Sequence, residues 1–175
     1  DTGVVFTQSL VGTNVDRVFV PSVEKGLRTA CTEGVRAGFR VTDVKADFYD
    51  GKMHPVDSKD IAFQVAGYHA FKEAFLSAAP CLLEPIYKVN LTVPEDYIGA
   101  VMGDLSSRRG QILGVDSDGH FQIVHAHVPQ KELHRYSTTL RSLTSGRGRH
   151  EEEFSHYAEV PPEQEAKILA EAKAR

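Results

Sequence analysis

The feature that most constrains the fold is an ordered series of hydrophobic patterns in the second half of the chain. Val89, Leu91 and Val93 alternate with polar residues, which predicts a strand with one buried face. The first predicted elements are a strand at 88–93, which Pro94 ends, and a helix with Gly110 as its C-terminal cap and the core residues Ile98, Val101, Met102 and Leu105. Two strands at 112–115 and 121–128 follow, joined by the turn 116–119. The last predicted elements are a helix with the core face Leu133, Tyr136, Ser137 and Leu140, and a strand at about 149–157.

This β-α-β-β-α-β order is typical of the ferredoxin-like, or split βαβ, arrangement. We therefore expect an antiparallel four-stranded sheet with both helices on one of its faces. Residues 81–85 form a short, stiff junction before this domain. After Pro161 and Pro162, the segment 163–175 is rich in Ala, Glu and Lys, which predicts a terminal helix.

The first half of the chain predicts a smaller α/β unit. Its elements are a helix from Val20 to Gly34, a strand at 41–49, a loop at 50–56 and a second helix. Asp57 or Ser58 is expected to cap the second helix, which runs to about Ser77. This helix is predicted to pack on a sheet through the stripe Phe63, Ala66, Ala70 and Ala74. The whole chain is thus predicted to be an α+β protein with a βαβ-containing domain at 1–82, a ferredoxin-like domain at 83–160 and a C-terminal helix at 161–175.

Composition narrows the class of protein. The 175 residues carry a formal net charge of −4 and no half is strongly basic, which argues against a protein that coats nucleic acid nonspecifically. No apolar run reaches the roughly 20 residues of a membrane span. Cys31 and Cys81 stand among apolar neighbours and are expected to be buried thiols. These features predict a monomeric protein of the reducing cytoplasm, with no membrane partner.

The chain lacks the motifs of the common enzymes. There is no G-x-x-x-x-G-K-[ST] sequence, and Gly51-Lys52 has neither the upstream glycine nor the following hydroxyl residue of a nucleotide loop. No G-x-S-x-G nucleophile elbow occurs either. We therefore predict no catalytic, cofactor-binding or metal-binding residue within this chain.

A metal- or ligand-binding module is an alternative that the sequence leaves open. His125 and His127 fall on one face of a predicted strand, and His134 and His150 could approach them. Zinc requires three or four converging nitrogen or sulfur ligands. Facing histidines on a sheet also occur as packing or surface residues.

Two segments stand out as candidate contact surfaces. The loop 50–56 places Lys52, Met53 and His54 at an exposed tip, although a solvated turn is an alternative interpretation. The cluster 141–149 combines arginines with glycines, a pattern suited to a phosphate backbone. Its alternative role is to stabilise a helix C-terminus with cations.

Several ordered motifs make the chain resemble the C-terminal part of elongation factor G-type translational GTPases. Residues 103–105 with 107–114 are the most specific of them. The others are 49–54, 56–58, 62–63 and 70–74 for the tip domain, 82–86 for the junction, and 140–142, 144, 146–148, 156–157 and 159–161 for the last domain. The matches cover nearly the whole chain.

This resemblance implies a function in the movement of tRNA and mRNA through the ribosome. It implies a tip domain, the family's fourth, that is similar to a small-subunit ribosomal protein fold and meets the mRNA–tRNA duplex at the decoding site through Asp50, Gly51, Lys52, Met53 and His54. The last domain, the fifth, would contact the sarcin–ricin loop of the large-subunit ribosomal RNA. The contacting positions are Arg141, Ser142, Thr144, Ser145, Gly146 and Arg147. GTP and magnesium would bind a GTPase domain that this chain lacks.

Some residues depart from the main translocase pattern. The family's tip domain begins upstream of Asp1, with a glycine-rich basic loop. Pro55 and Ser145 differ from the usual residues, and the run 54–63 is more similar to the paralogous elongation factor G-like proteins of some bacteria. An accessory GTPase of ribosome recycling, rescue or antibiotic protection is therefore the alternative to a main translocase.

Overall fold

The computed structural model describes residues 3–54 and 56–173. The chain divides into two compact units, which are described separately. The first unit contains residues 1–81 and 161–175, and the second contains residues 82–160. The C-terminal helix, α5 (Pro162–Lys173), therefore falls in the first unit. In that unit the Glu165 carboxylate forms a 2.7 Å ion pair with Arg36.

The first unit places two helices beside a parallel pair of strands. The other strands and α-helices are β1 (Val4–Gln8), α1 (Val20–Glu33), β2 (Val44–Phe48) and α2 (Asp60–Ser77), and a short helical turn, Arg17–Phe19, precedes α1. The sequence analysis missed β1, because three consecutive apolar residues hide the period of two. It also began β2 too early, since Asp43 has a φ of 55° and interrupts the extended backbone.

Helices α1 and α2 cross at very short range through two glycines. A Cβ on Gly26 would lie 1.9 Å from the backbone oxygen of Gln64, and a Cβ on Gly67 would lie 2.7 Å from that of Val23. Buried residues of α2 are Phe63, Gly67 and Phe71. The predicted stripe was wrong beyond Phe63. Helix α2 packs against helix α1 through Gly67, and its aromatic rings occupy the core because they bury more apolar area than alanine does.

The predicted caps of α2 were also wrong. Lys59 occupies the N-cap position and makes no side-chain hydrogen bond to the helix. Asp60, in the first turn, instead accepts a 2.8 Å hydrogen bond from the Ser22 hydroxyl on α1. The end of α1 agrees with the prediction, since Gly34 is its C-cap with a φ of 83°.

The second unit has the predicted β-α-β-β-α-β order. Its elements are β3 (Leu83–Pro94), α3 (Ile98–Ser107), β4 (Gln111–Asp118), β5 (Phe121–Pro129), α4 (Tyr136–Leu143) and β6 (Arg149–Glu159). The strands form an antiparallel sheet in the order β4-β5-β3-β6. The α+β fold class is thus confirmed. The fully buried core residues of the sheet and helices are Val89, Leu91, Val93, Val101, Leu105, Val124, Ala126 and Val128.

Strand β3 begins earlier than predicted, and Pro85 lies inside it. Pairing with β5 begins at Ile86, whereas pairing with β6 begins at Leu83. Pro85 therefore has a strand neighbour on one side, where a missing N–H is tolerated. The partly exposed residues Lys88, Asn90 and Thr92 share one face of β3, as expected from the alternation.

Two smaller predictions in the second unit needed correction. The left-handed residue after α3 is Arg109, with a φ of 60°, and the C-cap is Arg108 rather than Gly110. A Cβ on Gly110 would lie 2.6 Å from the Leu105 oxygen that accepts its N–H, so glycine is required by space. On α4, Tyr136 and Leu140 are buried, but Ser137 is exposed.

The two cysteines differ in their surroundings. Cys31 is buried in α1, and burial raises the pKa of its thiol against a lowering by Arg28 and Arg40. Cys81 is exposed, so the prediction of two buried thiols was wrong for it. It follows Pro80 in a connection outside any helix or strand, where apolar neighbours in sequence do not cover it. Across residues 3–54 and 56–173, no helix has the length and apolar character needed to cross a bilayer.

The glycine crossing gives a direct test of the first unit. We expect Gly26→Ala to destabilise it by about 1–3 kcal/mol or more, because the added methyl group meets backbone atoms that cannot move independently. Gly103→Ala on α3 is the matched control, since a Cβ there meets nothing within 4 Å and gains helix propensity. Hydrogen–deuterium exchange in urea separates the units. Equal protection of α1 in Gly26→Ala and the original chain would contradict the crossing.

Candidate functional surfaces

The tip loop, residues 50–56, lies at the carboxyl end of β2. The segment 9–16 leaves the carboxyl end of β1, and because the two strands are parallel, both connections emerge at the same end of the pair. Val15 in the second segment is 4% exposed and packs with Val23, Phe63 and Met53. The sequence analysis identified the tip loop and missed segment 9–16, which carries a single charged residue, Asp16, and a single glycine, Gly12.

Met53 holds the tip loop to the interior. Its side chain packs against the cluster around Val15, and its Sδ accepts a 3.1 Å hydrogen bond from the backbone N–H of Asp16. Gly51 fits closely beside the same cluster, since a Cβ there would lie 2.8 Å from Cγ2 of Val15. Of the predicted tip residues, Gly51 and Met53 therefore form the inner side of the loop.

Asp50, Lys52 and His54 form the outer side of the tip loop. All three are exposed. The Asp50 carboxylate accepts a 2.8 Å hydrogen bond from the N–H of Gly51, which stabilises the turn. Inner and outer residues alternate from Gly51 to His54, so the loop presents a cationic lysine and an imidazole while its backbone is held from below.

His54 has a defined backbone and an accessible ring. Its N–H donates a 2.9 Å hydrogen bond to the Ser58 hydroxyl, and that hydroxyl donates a 2.7 Å bond to the His54 carbonyl. The ring Nδ1 lies 3.2 Å from the Asp57 carboxylate, yet the His54 side chain is 68% exposed. Ser58, predicted as a helix cap, thus serves the loop instead.

A second candidate surface follows α4, in the loop 144–148. Thr144 is fully buried. Its hydroxyl donates a 2.7 Å hydrogen bond to the Leu140 carbonyl and accepts one of 2.7 Å from the N–H of Gly148. The sequence analysis placed Thr144 among the contacting residues; its side chain instead faces the interior and supports the loop.

The residues around Thr144 form an exposed turn. Ser145 and Gly146 have φ values of 53° and 82°, two successive left-handed residues. The N–H of Gly146 donates to the Arg141 carbonyl at 2.7 Å, and that of Arg147 donates to the Thr144 carbonyl at 3.1 Å. Arg141, Ser142, Ser145, Gly146 and Arg147 are exposed, so the structure brings these five predicted residues to one end of α4.

The arginines in and beside this loop differ in their partners. Arg149 forms a 2.6 Å ion pair with Glu151, whereas Arg147 contacts Tyr97, a residue that the sequence analysis did not single out. Arg141 lies in the last turn of α4, where the negative end of the helix dipole stabilises a cation. An open depression of about 280 Å³ adjoins the loop; it is lined by Ser137, Leu140, Arg141, Gly146, Gly148, Arg149 and His150.

Several histidines of the second unit contact neighbouring side chains. His125 hydrogen-bonds Asn90 at 2.7 Å through Nδ1 and Asp116 at 3.0 Å through Nε2. The His127 and His156 rings are in edge contact, and burial, followed by the charge of His156, lowers the pKa of His127. Among the residues that the structure describes, no three His, Cys, Asp or Glu side chains converge as metal ligands would.

Comparison with known proteins gives concordant matches over both units. The family described as "Elongation factor G, domain IV" matches residues 1–79, and "Elongation factor G C-terminus" matches residues 81–168. Elongation factor G of Aquifex pyrophilus is 51% identical over 172 residues, which is 98% of this chain. The chain spans 25% of the length of that relative.

A solved structure is also similar. A crystal structure of a Thermus thermophilus protein matches 99% of this chain with a TM-score of 0.88 and 41% sequence identity. The chain covers 26% of that protein. The matches in sequence and in fold therefore extend across nearly the whole chain.

The buried threonine provides a test of the second surface. We expect Thr144→Val to destabilise the second unit by about 1–3 kcal/mol, because it removes the hydroxyl and leaves the Gly148 N–H without a partner. Thr144→Ser keeps both hydrogen bonds and should cost less, about the 0.8 kcal/mol of one buried methyl group. Hydrogen–deuterium exchange of α4 and β6 in urea measures both. A serine variant less stable than the valine variant would contradict this role.

Proposed function

Because the chain belongs to the elongation factor G family, we propose that it is the ribosome-contacting part of a ribosome-dependent GTPase that promotes movement of tRNA and mRNA. The observation that carries this proposal is the presence, in an acidic chain of net charge −4, of two loops that each project cations from a supported backbone. A few fixed cations dock on phosphates at chosen points, whereas a basic arm would bind RNA everywhere.

The tip loop is proposed to meet the mRNA–tRNA duplex at the decoding site of the small subunit. Support comes from the outward Lys52 and His54 beside the inward Met53. Lysine and imidazole donors suit phosphates and 2′-hydroxyl groups. The loop is supported at both sides of its tip, through Met53 and through the Ser58 hydroxyl, so that it opposes backward movement of tRNA without rearranging.

The loop after α4 is proposed to bind large-subunit ribosomal RNA near the sarcin–ricin loop. Exposed Arg147 in this loop and exposed Arg141 in the last turn of α4 supply guanidinium groups, which bind phosphates through paired N–H donors. GTP and magnesium are proposed to bind a separate domain of the intact factor, which we expect to act as a cytoplasmic monomer.

An accessory paralogue is the second candidate function. Ser145 favours it, since this residue departs from the main translocase pattern. The Ser145 hydroxyl lies 3.2 Å from that of Tyr97. The other departing residue, Pro55, lies outside the described residues. Complementation of a strain that has lost its main translocase separates the two functions: full rescue by the intact factor identifies a translocase, and failure to rescue identifies an accessory role in recycling, rescue or antibiotic protection.

Replacing the tip histidine should slow movement without stopping GTP hydrolysis. In the intact factor we expect His54→Ala to reduce the translocation rate about 10-fold, the change that about 1.4 kcal/mol produces. Ribosome-stimulated GTP hydrolysis should persist, because its site lies elsewhere. His120→Ala, an exposed histidine in the second unit, is the control. A His54→Ala factor that translocates at the original rate would remove the assignment of the tip loop.

Salt dependence should report the arginine contacts. For binding of the chain to isolated large subunits, we expect Arg141→Ala and Arg147→Ala each to lower the slope of log affinity against log salt by about one. Arg149→Ala should change the slope less, since its guanidinium already pairs with Glu151 at 2.6 Å. Slopes that fall equally in all three variants would argue against a specific phosphate contact at Arg141 and Arg147.

A further inference from the structure

Tyr97 is joined to the second surface by contacts that sequence distance conceals. It lies at the end of a single helical turn, Glu95–Tyr97, between β3 and α3, and is 50 positions from Arg147. Its hydroxyl oxygen accepts a 2.7 Å hydrogen bond from Nη2 of Arg147. The same oxygen lies 3.2 Å from the Ser145 hydroxyl. One phenol thus contacts both exposed residues that flank Gly146.

The aromatic ring adds a second contact with the guanidinium. The central carbon of the Arg147 guanidinium is 5.0 Å from the ring centroid of Tyr97, within the range of a cation–π interaction. Hydrogen bonding with Ser145 and then with Arg147 lowers the pKa of Tyr97, while desolvation and the charge of Asp96 act in the opposite direction.

These contacts leave most of the Arg147 guanidinium available. An arginine carries five N–H donors, and Tyr97 accepts from one of them. Within residues 3–54 and 56–173, no carboxylate forms an ion pair with Arg147, in contrast to Arg149. A free arginine loses considerable rotamer freedom when it binds a phosphate, and a side chain already fixed by a neighbour loses less.

We propose that Tyr97 is a positioning residue that fixes the Arg147 guanidinium in the orientation in which it binds an RNA phosphate. The contact with RNA rests on the proposed function, whereas the ordering of Arg147 by Tyr97 does not. Tyr97 would act through its hydroxyl and its ring together, so removal of the hydroxyl alone should have an intermediate effect.

The ordering is tested first, on the chain without RNA. The order parameter of the Arg147 Nε–H group, measured by nitrogen-15 relaxation, should fall in Tyr97→Leu to the value of Arg141. Tyr97→Phe, which keeps the ring, should lie between. Tyr157→Leu is the control, because this exposed tyrosine lies towards the other end of β6 and contacts Phe154. An Arg147 order parameter unchanged by Tyr97→Leu would overturn the inference.

Binding to purified large ribosomal subunits is tested second. We expect Tyr97→Leu to weaken affinity about 3- to 10-fold and Tyr97→Phe about 2- to 3-fold. The double variant with Arg147→Ala should bind no more weakly than Arg147→Ala alone, because Tyr97 acts through that arginine. Additive losses would overturn the inference. Absence of binding by the original chain would instead overturn the proposed function and leave the ordering result standing.

Discussion

The tip loop and the loop 144–148 each depend on one side chain that faces the interior. In the first unit Met53 packs beneath the tip loop and accepts the N–H of Asp16. In the second unit the buried hydroxyl of Thr144 joins the end of α4 to the start of β6 through Leu140 and Gly148. Residues on either side of these two can then be exposed and polar without leaving the backbone free to move.

The support extends from the loops into the packing of each unit. Val23 faces Gly67 across the α1–α2 crossing and also belongs to the cluster that holds Met53. The close approach of the helices therefore fixes the position of the cluster, and the cluster fixes the inner side of the tip loop. In the second unit, Leu140 lies in the sheet core and carries the carbonyl that Thr144 binds. The positions of the exposed loop residues thus depend on the packing of the buried residues that support them.

Sequence patterns predicted the second unit well, because its strands alternate regularly and its helices keep helical spacing. They failed where tertiary contacts decide. The face of α2 is set by Gly67 and its contact with α1, and Arg109 rather than Gly110 takes the left-handed position. Local sequence could not indicate that Thr144 turns inward. Nor could it connect Tyr97 to Arg147, because that contact spans 50 positions.

We propose that the two loops meet different ribosomal RNAs, and directed hydroxyl-radical probing distinguishes the RNA that lies near each loop. Cys81 is exposed and would be replaced as Cys81→Ser, while buried Cys31 with its raised thiol pKa can remain. An iron chelate is then attached to the intact factor at His54→Cys or, in a second sample, at Ser145→Cys. We expect cleavage of small-subunit RNA around the decoding site from position 54 and of large-subunit RNA from position 145. Cleavage of the same RNA from both positions, or no cleavage from either position, would contradict the proposed contacts.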